Sequence, residues 1–485
     1  MKLIDLLSGV NYEVLEGKLD KEINHIQYDS RKVTEGDLFV CLKGFEVDGH
    51  NYAKNAIEAG AKVILCEKKI DIDTKDKDIT VILVKEGRKA LAIMSANYYD
   101  HPAKKLKLIG VTGTNGKTTS VYLLKSILEK AGKKVGLVGT IANYIGNRKI
   151  EADHTTPESL ELQKLFKEMV EENCDYCVME TSSHSLDLDR VYGCEYEVGI
   201  FTNLTRDHLD FHKTFDNYYK AKFKLFERSK ASVINIDDDY GYRVYKDVEK
   251  LGNRLIKTYS LKNDSDYKAE NVELKEGDIH FAVNGCNFNS PLPGEYNVYN
   301  ALGVIAACNI LDINNEAIQE GILNTVVPGR CERIGYKYDI PFDIVIDFAH
   351  TPDGLKNILE TLKPFAQNRL IAVYGSGGDR DKVKRAELGR VGTELADYVI
   401  VTSDNPRNEK PMEVIREILA GISKTNYTAI ENRVEAIKMA IDMAEEGDVI
   451  VLAGKGHETY QITNNGKIHF DEREIVDEIL KDKKK

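Results

Sequence analysis

Tryptophan is missing from this chain of 485 residues, so its 25 tyrosines will dominate the near-ultraviolet absorption. Long apolar runs are missing too. None approaches the roughly 18 residues of a membrane-spanning helix, which excludes a chain threaded through a bilayer by helices. There is no basic excess: 67 Lys and Arg stand against 79 Asp and Glu, a formal net charge of −12. A nucleic-acid binder normally advertises a basic face, so that class is disfavoured, while a local basic pocket for a small anion stays open. The eight cysteines are scattered, and Cys174 and Cys177 form the only C-x-x-C. A four-cysteine zinc site needs a second such pair, so the cysteines read as reduced, small core residues. The opening Met1–Ser8 is too short and too acidic for a signal peptide and reads as a short amphipathic helix, which predicts a cytoplasmic protein. No internal repeat or low-complexity tract is evident.

What is present centres on one stretch, Leu108-Ile-Gly-Val-Thr-Gly-Thr-Asn-Gly-Lys-Thr-Thr119. A mostly apolar strand leads into a glycine-containing loop, and Val121 to Leu128 then carries apolar residues at helical spacing. Gly113 and Gly116 let the backbone turn with its N–H groups facing a ligand. Lys117 adds a mobile positive charge, and the following helix points its positive end at the same place. Phosphate suits such a loop, and Thr118 would offer a hydroxyl to a magnesium ion held by that phosphate. The strict pattern G-x-x-x-x-G-K-[ST] is not met, because Val111 occupies the position of its first glycine.

The length suggests about three domains. The first runs over 1–102 and ends at Asp100-His-Pro102. Val63–Cys66 and Ile79–Val84 read as strands, Asn51–Ala59 and Arg88–Tyr99 as helices. Asp29-Ser30-Arg31 forms a polar cluster that, taken alone, is a turn. The second runs over 103–328. Lys134–Thr140, Asp175–Glu180 and Val198–Asn203 read as strands of a parallel sheet, and Ser159–Glu171 as a helix after His154-Thr-Thr-Pro157. Glu180 sits at the carboxyl end of its strand, where ligands of open α/β sheets gather. Asp207, His208, Asp210 and His212 follow another strand end, as metal ligands or as a solvated loop in equal measure. Tyr218–Phe226 reads as a helix whose Lys220, Lys222 and Lys224 face solvent by default. Pro328-Gly-Arg330 breaks the chain before a third domain, 329–485. There the strands Leu370–Tyr374, Ala396–Thr402 and Asp448–Ala453 each open onto a polar loop, at Gly375–Lys382, Ser403–Arg407 and Gly454–Glu458. Three such loops on one edge of a parallel sheet describe a binding site. The lysine-rich end, Lys481–Lys485, reads as frayed.

Together these residues resemble the Mur ligases, the family that adds amino acids to the cell-wall precursor. The resemblance spans nearly the whole chain. It rests on Thr112-Gly-Thr-Asn-Gly-Lys-Thr118, Thr155-Thr-Pro157, Glu180 with Ser182-Ser-His184, Asp207-His-Leu-Asp210, Asp347-x-Ala-His350 and Asp404-Asn-Pro-Arg407. The family's phosphate loop normally lacks the first glycine, which accounts for Val111. Asp404-Asn-Pro-Arg407 is the most specific motif, because it separates diaminopimelate-adding members from lysine-adding relatives. Thr181, Phe348 and His154 depart from the family's usual residues without removing a catalytic group.

The resemblance implies an α/β fold of three domains, with a central P-loop-type ATPase domain between an N-terminal α/β substrate domain and a C-terminal Rossmann-like domain. It implies a cytoplasmic, monomeric, ATP- and Mg2+-dependent ligase of peptidoglycan synthesis, serving cell shape and division. The substrates would be UDP-N-acetylmuramoyl-L-alanyl-D-glutamate and meso-2,6-diaminopimelate, joined through an acyl phosphate. By the same resemblance Ser30, Thr155, Thr156, Ser182 and Arg190 would hold the UDP-muramoyl dipeptide. Thr112, Gly113, Thr114, Asn115, Gly116, Lys117 and Thr118 would hold ATP, with Asn300, Arg330 and His350 as further nucleotide contacts. Thr118, Glu180 and His208 would hold magnesium, joined by a carbamate on Lys222. Lys117, Lys222, Glu180 and His208 form the catalytic group. Arg380, Asp404, Asn405, Pro406, Arg407, Gly454 and Glu458 would form the diaminopimelate pocket. Arg407 suits the distal carboxylate of that amino acid, since its planar guanidinium holds a carboxylate through two parallel hydrogen bonds. Three alternatives stand beside this one: the same reaction with L-lysine, another ligase of the Mur and folylpolyglutamate synthetase superfamily, and a nucleotide switch without ligase activity.

Overall fold

The computed structural model describes residues 1–44, 47–72, 78–252, 254–275 and 278–483. The chain separates into two compact units. One comprises Met1–Gly110, Lys133–Gly199 and Lys224–Lys230, and the other Val111–Gly132, Ile200–Phe223 and Ala231–Lys485. Among the described residues no helix is long and apolar enough to cross a membrane.

The first unit opens with a five-stranded sheet of β1 (Tyr12–Glu16), β2 (Ile26–Gln27), β3 (Leu38–Val40), β4 (Val63–Cys66) and β5 (Thr80–Val84), in the order β1-β5-β4-β3-β2. Only β1 is antiparallel to its neighbour. The central strands are continuous apolar runs because both faces are covered. Val63 and Leu65 enter one core and Ile64 and Cys66 the other. The helices Gly87–Tyr98 and Ser159–Glu171 pack together in this unit. The predicted short helix at the N-terminus is present as Leu3–Leu6, with Leu3 and Leu6 buried.

The strands that follow are β6 (Lys107–Thr112), β7 (Val135–Val138), β8 (Asn143–Ile145), β9 (Arg148–Ile150), β10 (Tyr176–Glu180), β11 (Tyr196–Phe201), β12 (Ser229–Asn235), β13 (Leu255–Ser260) and β14 (Tyr267–Lys268). In the first unit β10 pairs parallel to β7, and β8 and β9 continue antiparallel from there. In the second unit β12, β13 and β14 pair parallel in turn. The helix Glu295–Ile310 is buried along most of its length, as an apolar, alanine-rich helix must be. β15 (Glu270–Lys275), β16 (Asp278–Val283) and β17 (Cys286–Ser290) form a small antiparallel sheet.

The C-terminal part of the second unit is a six-stranded sheet of β18 (Glu332–Ile334), β19 (Asp343–Asp347), β20 (Leu370–Tyr374), β21 (Tyr398–Val401), β22 (Tyr427–Ala429) and β23 (Val449–Ala453). Its order is β18-β19-β23-β20-β21-β22, parallel except at β18. Leu370, Ala372 and Tyr374 enter one core and Ile371 and Val373 the other. The carboxyl ends of β19, β23, β20 and β21 therefore deliver four loops to one edge, the three predicted and the one after Asp347. A hairpin, β24 (Tyr460–Thr463) and β25 (Gly466–His469), and the helix Glu472–Lys483 complete the chain. The expectation of a frayed tail is corrected for Lys481–Lys483, which belong to that helix, with Lys483 Nζ donating to Ile441 O at 2.7 Å. Residues 484–485 lie outside the described residues.

Candidate functional site

In the first unit, Glu180 ends β10 and is buried, 1% exposed. Its Oε1 accepts from Thr140 N at 2.8 Å and its Oε2 from Thr140 Oγ1 at 3.0 Å. Thr140 Oγ1 lies 3.0 Å from Thr155 Oγ1. Thr156 Oγ1 donates to Glu180 O at 2.8 Å and accepts from Ser182 N at 3.2 Å. Arg190 donates to Thr156 O at 3.0 Å, and its Nε lies 2.9 Å from Glu158 Oε1. Five of the predicted residues are thus joined: Thr140, which sequence reasoning missed, links Glu180 to Thr155, and Thr156 links Glu180 to Ser182 and Arg190. Thr140 lies two residues beyond the end of β7, inside the strand read over Lys134–Thr140, and that strand end was its one signal. Ser30 sits elsewhere in this unit, on a single turn capped by Asp29, whose carboxylate also takes Arg31 at 2.8 Å. Among the described residues it makes no hydrogen bond to those five.

In the second unit the phosphate loop follows β6. Gly113 has φ +153°, and a Cβ there would lie 1.8 Å from Thr202 Oγ1. Gly116 has φ +84° and would meet Asn300 Oδ1 at 2.2 Å. Both glycines are therefore required by close approach as well as by backbone conformation. The helix Lys117–Lys130 starts directly after Gly116. Lys117 Nζ donates to Gly113 O at 2.9 Å and to Thr114 O at 2.8 Å. Asn203 braces the loop, its Oδ1 accepting from Asn115 N at 2.9 Å. Arg330 donates to Thr118 Oγ1 at 3.2 Å, and Asn115 Nδ2 donates to Asp353 Oδ2 at 2.7 Å. Asn300 Nδ2 donates to Asn297 Oδ1 at 3.0 Å. The predicted nucleotide residues Asn300 and Arg330 are thus gathered on this loop.

Lys222 departs from the solvent-facing default. It lies on the helix Phe215–Glu227 but is 1% exposed. Its Nζ donates to Gly113 O at 2.7 Å and stands 4.5 Å from the centre of the Tyr218 ring. Burial, reinforced by the Lys117 charge, pushes its amine well below the usual lysine range. Lys220 keeps to expectation, exposed and paired with Asp216 at 2.6 Å, and Lys224 is half-buried, 3.3 Å from Asp187.

The stretch Asp207–His212 does not form a metal cluster of its own. Among the described residues no three His, Cys, Asp or Glu side chains gather at metal-ligand spacing. Nor is it solvated throughout, although Asp210 is exposed and His208 half-buried. Asp207 and His212 are buried, and His212 stacks on Tyr218 with ring centres 4.9 Å apart. Burial alone would raise the Asp207 carboxyl, but His208, Lys384 and His350 outweigh it and hold the group well below the carboxylate range. His208 takes φ +54° and puts Nε2 3.3 Å from Asp207 Oδ2. His350 Nδ1 lies 2.9 Å from Phe348 O, so that nitrogen carries the proton, and burial with the Lys384 charge pushes the ring down to about 4.

At the edge of the C-terminal sheet, Asp404 is buried, with Oδ1 accepting from Asn405 N at 2.6 Å. Gly454 has φ +117°, and a Cβ there would lie 2.5 Å from Asp404 Oδ2. Burial raises this carboxyl, yet Lys455 and Arg433 outweigh it and keep the group low. Asn405 Nδ2 donates to Glu458 Oε2 at 2.8 Å, and the buried Lys455 Nζ reaches the same oxygen at 2.9 Å. A Cβ on Gly378 would meet Pro406 O at 1.9 Å, so this glycine lets the two loops touch. Arg407 donates to Gly378 O at 2.7 Å. Burial and the neighbouring charge of the exposed Arg380 lower the Arg407 guanidinium from its ordinary range. All seven predicted residues of this pocket lie on the loops after β20, β21 and β23. Lys455, Arg433 and Arg385, which anchor them from below, were not singled out, since a buried basic residue has no periodic signature.

Comparison with known proteins agrees with this geometry. Residues 22–99 match the family description "Mur ligase family, catalytic domain", residues 111–308 "Mur ligase middle domain", and residues 329–456 "Mur ligase, glutamate ligase domain". The chain is 55% identical over 487 residues to a UDP-N-acetylmuramoyl-L-alanyl-D-glutamate–2,6-diaminopimelate ligase of Clostridium perfringens, covering 100% of both chains. It is 54% identical to a protein of the same name from Clostridium botulinum, over 99% of this chain and 100% of the other. A solved structure of a ligase with that name superposes with a TM-score of 0.67 at 30% identity, over 97% of both chains.

Proposed function

Because the chain belongs to the Mur ligase family, we propose that it joins meso-2,6-diaminopimelate to UDP-N-acetylmuramoyl-L-alanyl-D-glutamate, using ATP, in peptidoglycan precursor synthesis. The observation that carries this reading is the full-length identity of 55% to a relative with that name. The two neighbouring guanidiniums of Arg380 and Arg407 support it, since a diamino acid with a second carboxylate needs a cation at its far end. We place the domain limits at 1–102, 103–328 and 329–485; the three matched stretches fall within them. The protein is taken as a cytoplasmic monomer.

A carboxylate is a poor electrophile because it has no good leaving group. Transfer of the γ-phosphoryl group of ATP to the D-glutamyl carboxylate gives an acyl phosphate. Attack by the amine forms the C–N bond, and phosphate departs from the tetrahedral intermediate. The chain contributes position and charge. The loop N–H groups and Lys117 cradle the phosphates, and Lys117 offsets the charge that builds between ATP and the carboxylate. Arg330, Asn300 and His350 orient the nucleotide. Ser30, Thr155, Thr156, Ser182 and Arg190 hold the UDP-muramoyl dipeptide. As the expected magnesium ligands, Thr118 offers a hydroxyl and His208 an imidazole in the second unit, and Glu180 a buried carboxylate in the first; each is an oxygen or nitrogen donor magnesium accepts, and the ion would supply electrostatic stabilisation of the transferring phosphoryl group. Burial lowers the Lys222 amine well below the usual lysine range, which favours the unprotonated form whose lone pair adds to carbon dioxide with loss of a proton. The resulting carbamate places an anion beside the loop and would be available as a further magnesium ligand.

The test is an amino-acid panel with the UDP-muramoyl dipeptide and ATP, scored by mass spectrometry. Diaminopimelate should be the preferred acceptor. Lysine leaves a guanidinium unpaired and adds a second cation, so discrimination on the order of 10⁴-fold is within reach of such a site. Arg407→Ala should raise the KM for diaminopimelate sharply while that for ATP changes little. Preference for L-lysine by the wild-type enzyme would sink the assignment. ADP release that ignores both acceptor substrates would point instead to a nucleotide switch.

A further inference from the structure

The hairpin of β24 and β25 is not part of the six-stranded sheet. Its strand residues are half-buried or exposed, and an isolated two-stranded hairpin is marginally stable at best in water. Bonds to the stretch Ser403–Arg407 hold it. Gln461 Nε2 donates to Asp404 O at 2.5 Å and to Ser403 Oγ at 3.3 Å. Ile462 N donates to Asn405 Oδ1 at 2.9 Å, and Arg407 N donates to Ile462 O at 3.0 Å. Arg407 itself takes φ +53°, a backbone conformation that a residue with a side chain adopts only when its surroundings impose it.

We infer that this hairpin positions the amino-acid pocket, and that Gln461 is the side chain through which it fixes Asn405 and Arg407 toward the distal carboxylate of the incoming amino acid. The inference rests on the diaminopimelate reading above. Recognition of a carboxylate by a guanidinium is directional, because both N–H bonds must point along one plane. The base of Arg407 is set by three anchors in sequence: the Asp404 carbonyl on Gln461, the Asn405 side chain on Ile462 N, and the Arg407 N–H on Ile462 O. Removing the first leaves a carbonyl in a buried loop without its donor. The loop then samples orientations in which Arg407 no longer meets the carboxylate squarely. Gln461 acts through Arg407 and Asn405 and is a positioning residue.

The experiment measures KM and kcat of the full-length enzyme for diaminopimelate, ATP and the UDP-muramoyl dipeptide. The variants are Gln461→Ala, Gln461→Met and Thr463→Ala. Thr463 Oγ1 donates only across the hairpin, to Gly466 O at 3.1 Å. Both Gln461 variants should raise the KM for diaminopimelate about tenfold and narrow its preference over L-lysine, while the KM for ATP and for the dipeptide stays within about twofold. Thr463→Ala should match wild type. An unchanged KM for diaminopimelate, a parallel rise in all three KM values, or an equal effect of Thr463→Ala overturns the inference. Should Gln461→Ala fail to fold, Gln461→Met decides, because it keeps nearly the side-chain volume while removing the amide and with it the donor to Asp404 O. Wild-type enzyme that prefers L-lysine overturns the substrate reading and this inference with it. Wild-type enzyme on diaminopimelate with unmoved Gln461 variants overturns this inference alone.

Discussion

Two groups of basic side chains in the second unit differ in the partners they meet. Around the phosphate loop, Lys117 and Lys222 donate to main-chain carbonyls, both of them to Gly113 O. Behind the C-terminal loops, Arg385, Arg433 and Lys455 meet carboxylates. Arg385 takes both oxygens of Glu409 at 2.8 Å, Arg433 meets Glu472 at 2.8 Å and Lys455 meets Glu458 at 2.9 Å. A lysine charge bonded to a carbonyl gains charge pairing when a phosphate oxygen takes that carbonyl's place. A buried cation already on a carboxylate has no such gain to make. The first arrangement is fit to receive an anionic ligand, and the second holds loops in place.

The largest effect that sharpens this contrast is at the phosphate loop. Lys117→Ala and Lys222→Ala should each lower turnover on the order of 10³-fold or more, since in the proposed mechanism both remove groups that act as charge builds in the transition state. Neither variant should lower the melting temperature much. Short carboxylates added to Lys222→Ala should restore part of the turnover by taking the position of the carbamate. Unchanged activity in Lys222→Ala would return Lys222 to a structural role.

At the other group the order of effects should invert. Arg433 and Glu472 are 1% exposed each, and Arg433 also donates to Ala453 O at 2.9 Å and Ser403 O at 3.3 Å. It thereby ties the ends of β23 and β21 together beneath Gly454 and Asp404. Glu472→Ala leaves a buried guanidinium without its carboxylate and should cost about 3–5 kcal/mol in denaturant unfolding. A loss below about 1 kcal/mol would show the pair to be no more than a surface-type bridge.

The sequence carried strands in each of the three expected domains, though not β1, β2 or β3 of the first, and the loops at their carboxyl ends, because buried parallel strands are continuous apolar runs and the loops interrupt them with glycine, proline and charge. Ser159–Glu171 and Leu370–Tyr374 have the predicted limits, whereas the strand read over Ile79–Val84 begins at Thr80. The short strands β8 and β9 and the helices Asp239–Leu251 and Asn315–Leu323 were not read, lying in polar stretches where pairing partners decide the outcome. At the site, motif residues were legible and their supports were not. Lys222 is the instructive case. A helix lysine reads as solvated from spacing alone, and only the resemblance singled it out. Its burial depends on Gly113 and Tyr218, which lie 109 residues upstream and on its own helix. Thr140 and Gln461 act through bonds to distant chain, and neither residue type nor spacing announces them.

The smallest effect concerns the histidines beside these two groups. Burial and the Lys384 charge push His350 down to about 4, and burial with Arg330, Arg473 and Lys455 pushes His457 down to about 3. An unfolded histidine titrates near 6.5. Between about 6.5 and 4 the unfolded chain therefore binds more protons than the folded one, and stability falls as pH falls through that window. Asp207 and Asp404, held low by their cations, act at lower pH, whereas Asp347, raised by burial, works in the opposite sense. The net slope of the wild type thus mixes signs, and the informative quantity is the difference made by one ring. His457→Asn keeps a polar side chain of similar reach and removes the titration. Relative to wild type it should gain about 1 kcal/mol in unfolding free energy on going from pH 6.5 to 5.5, approaching one proton's 1.4 kcal/mol per pH unit. Parallel stability curves for the two proteins over that interval would show that the ring is already charged in the folded chain, and that the cations around it do not govern its proton.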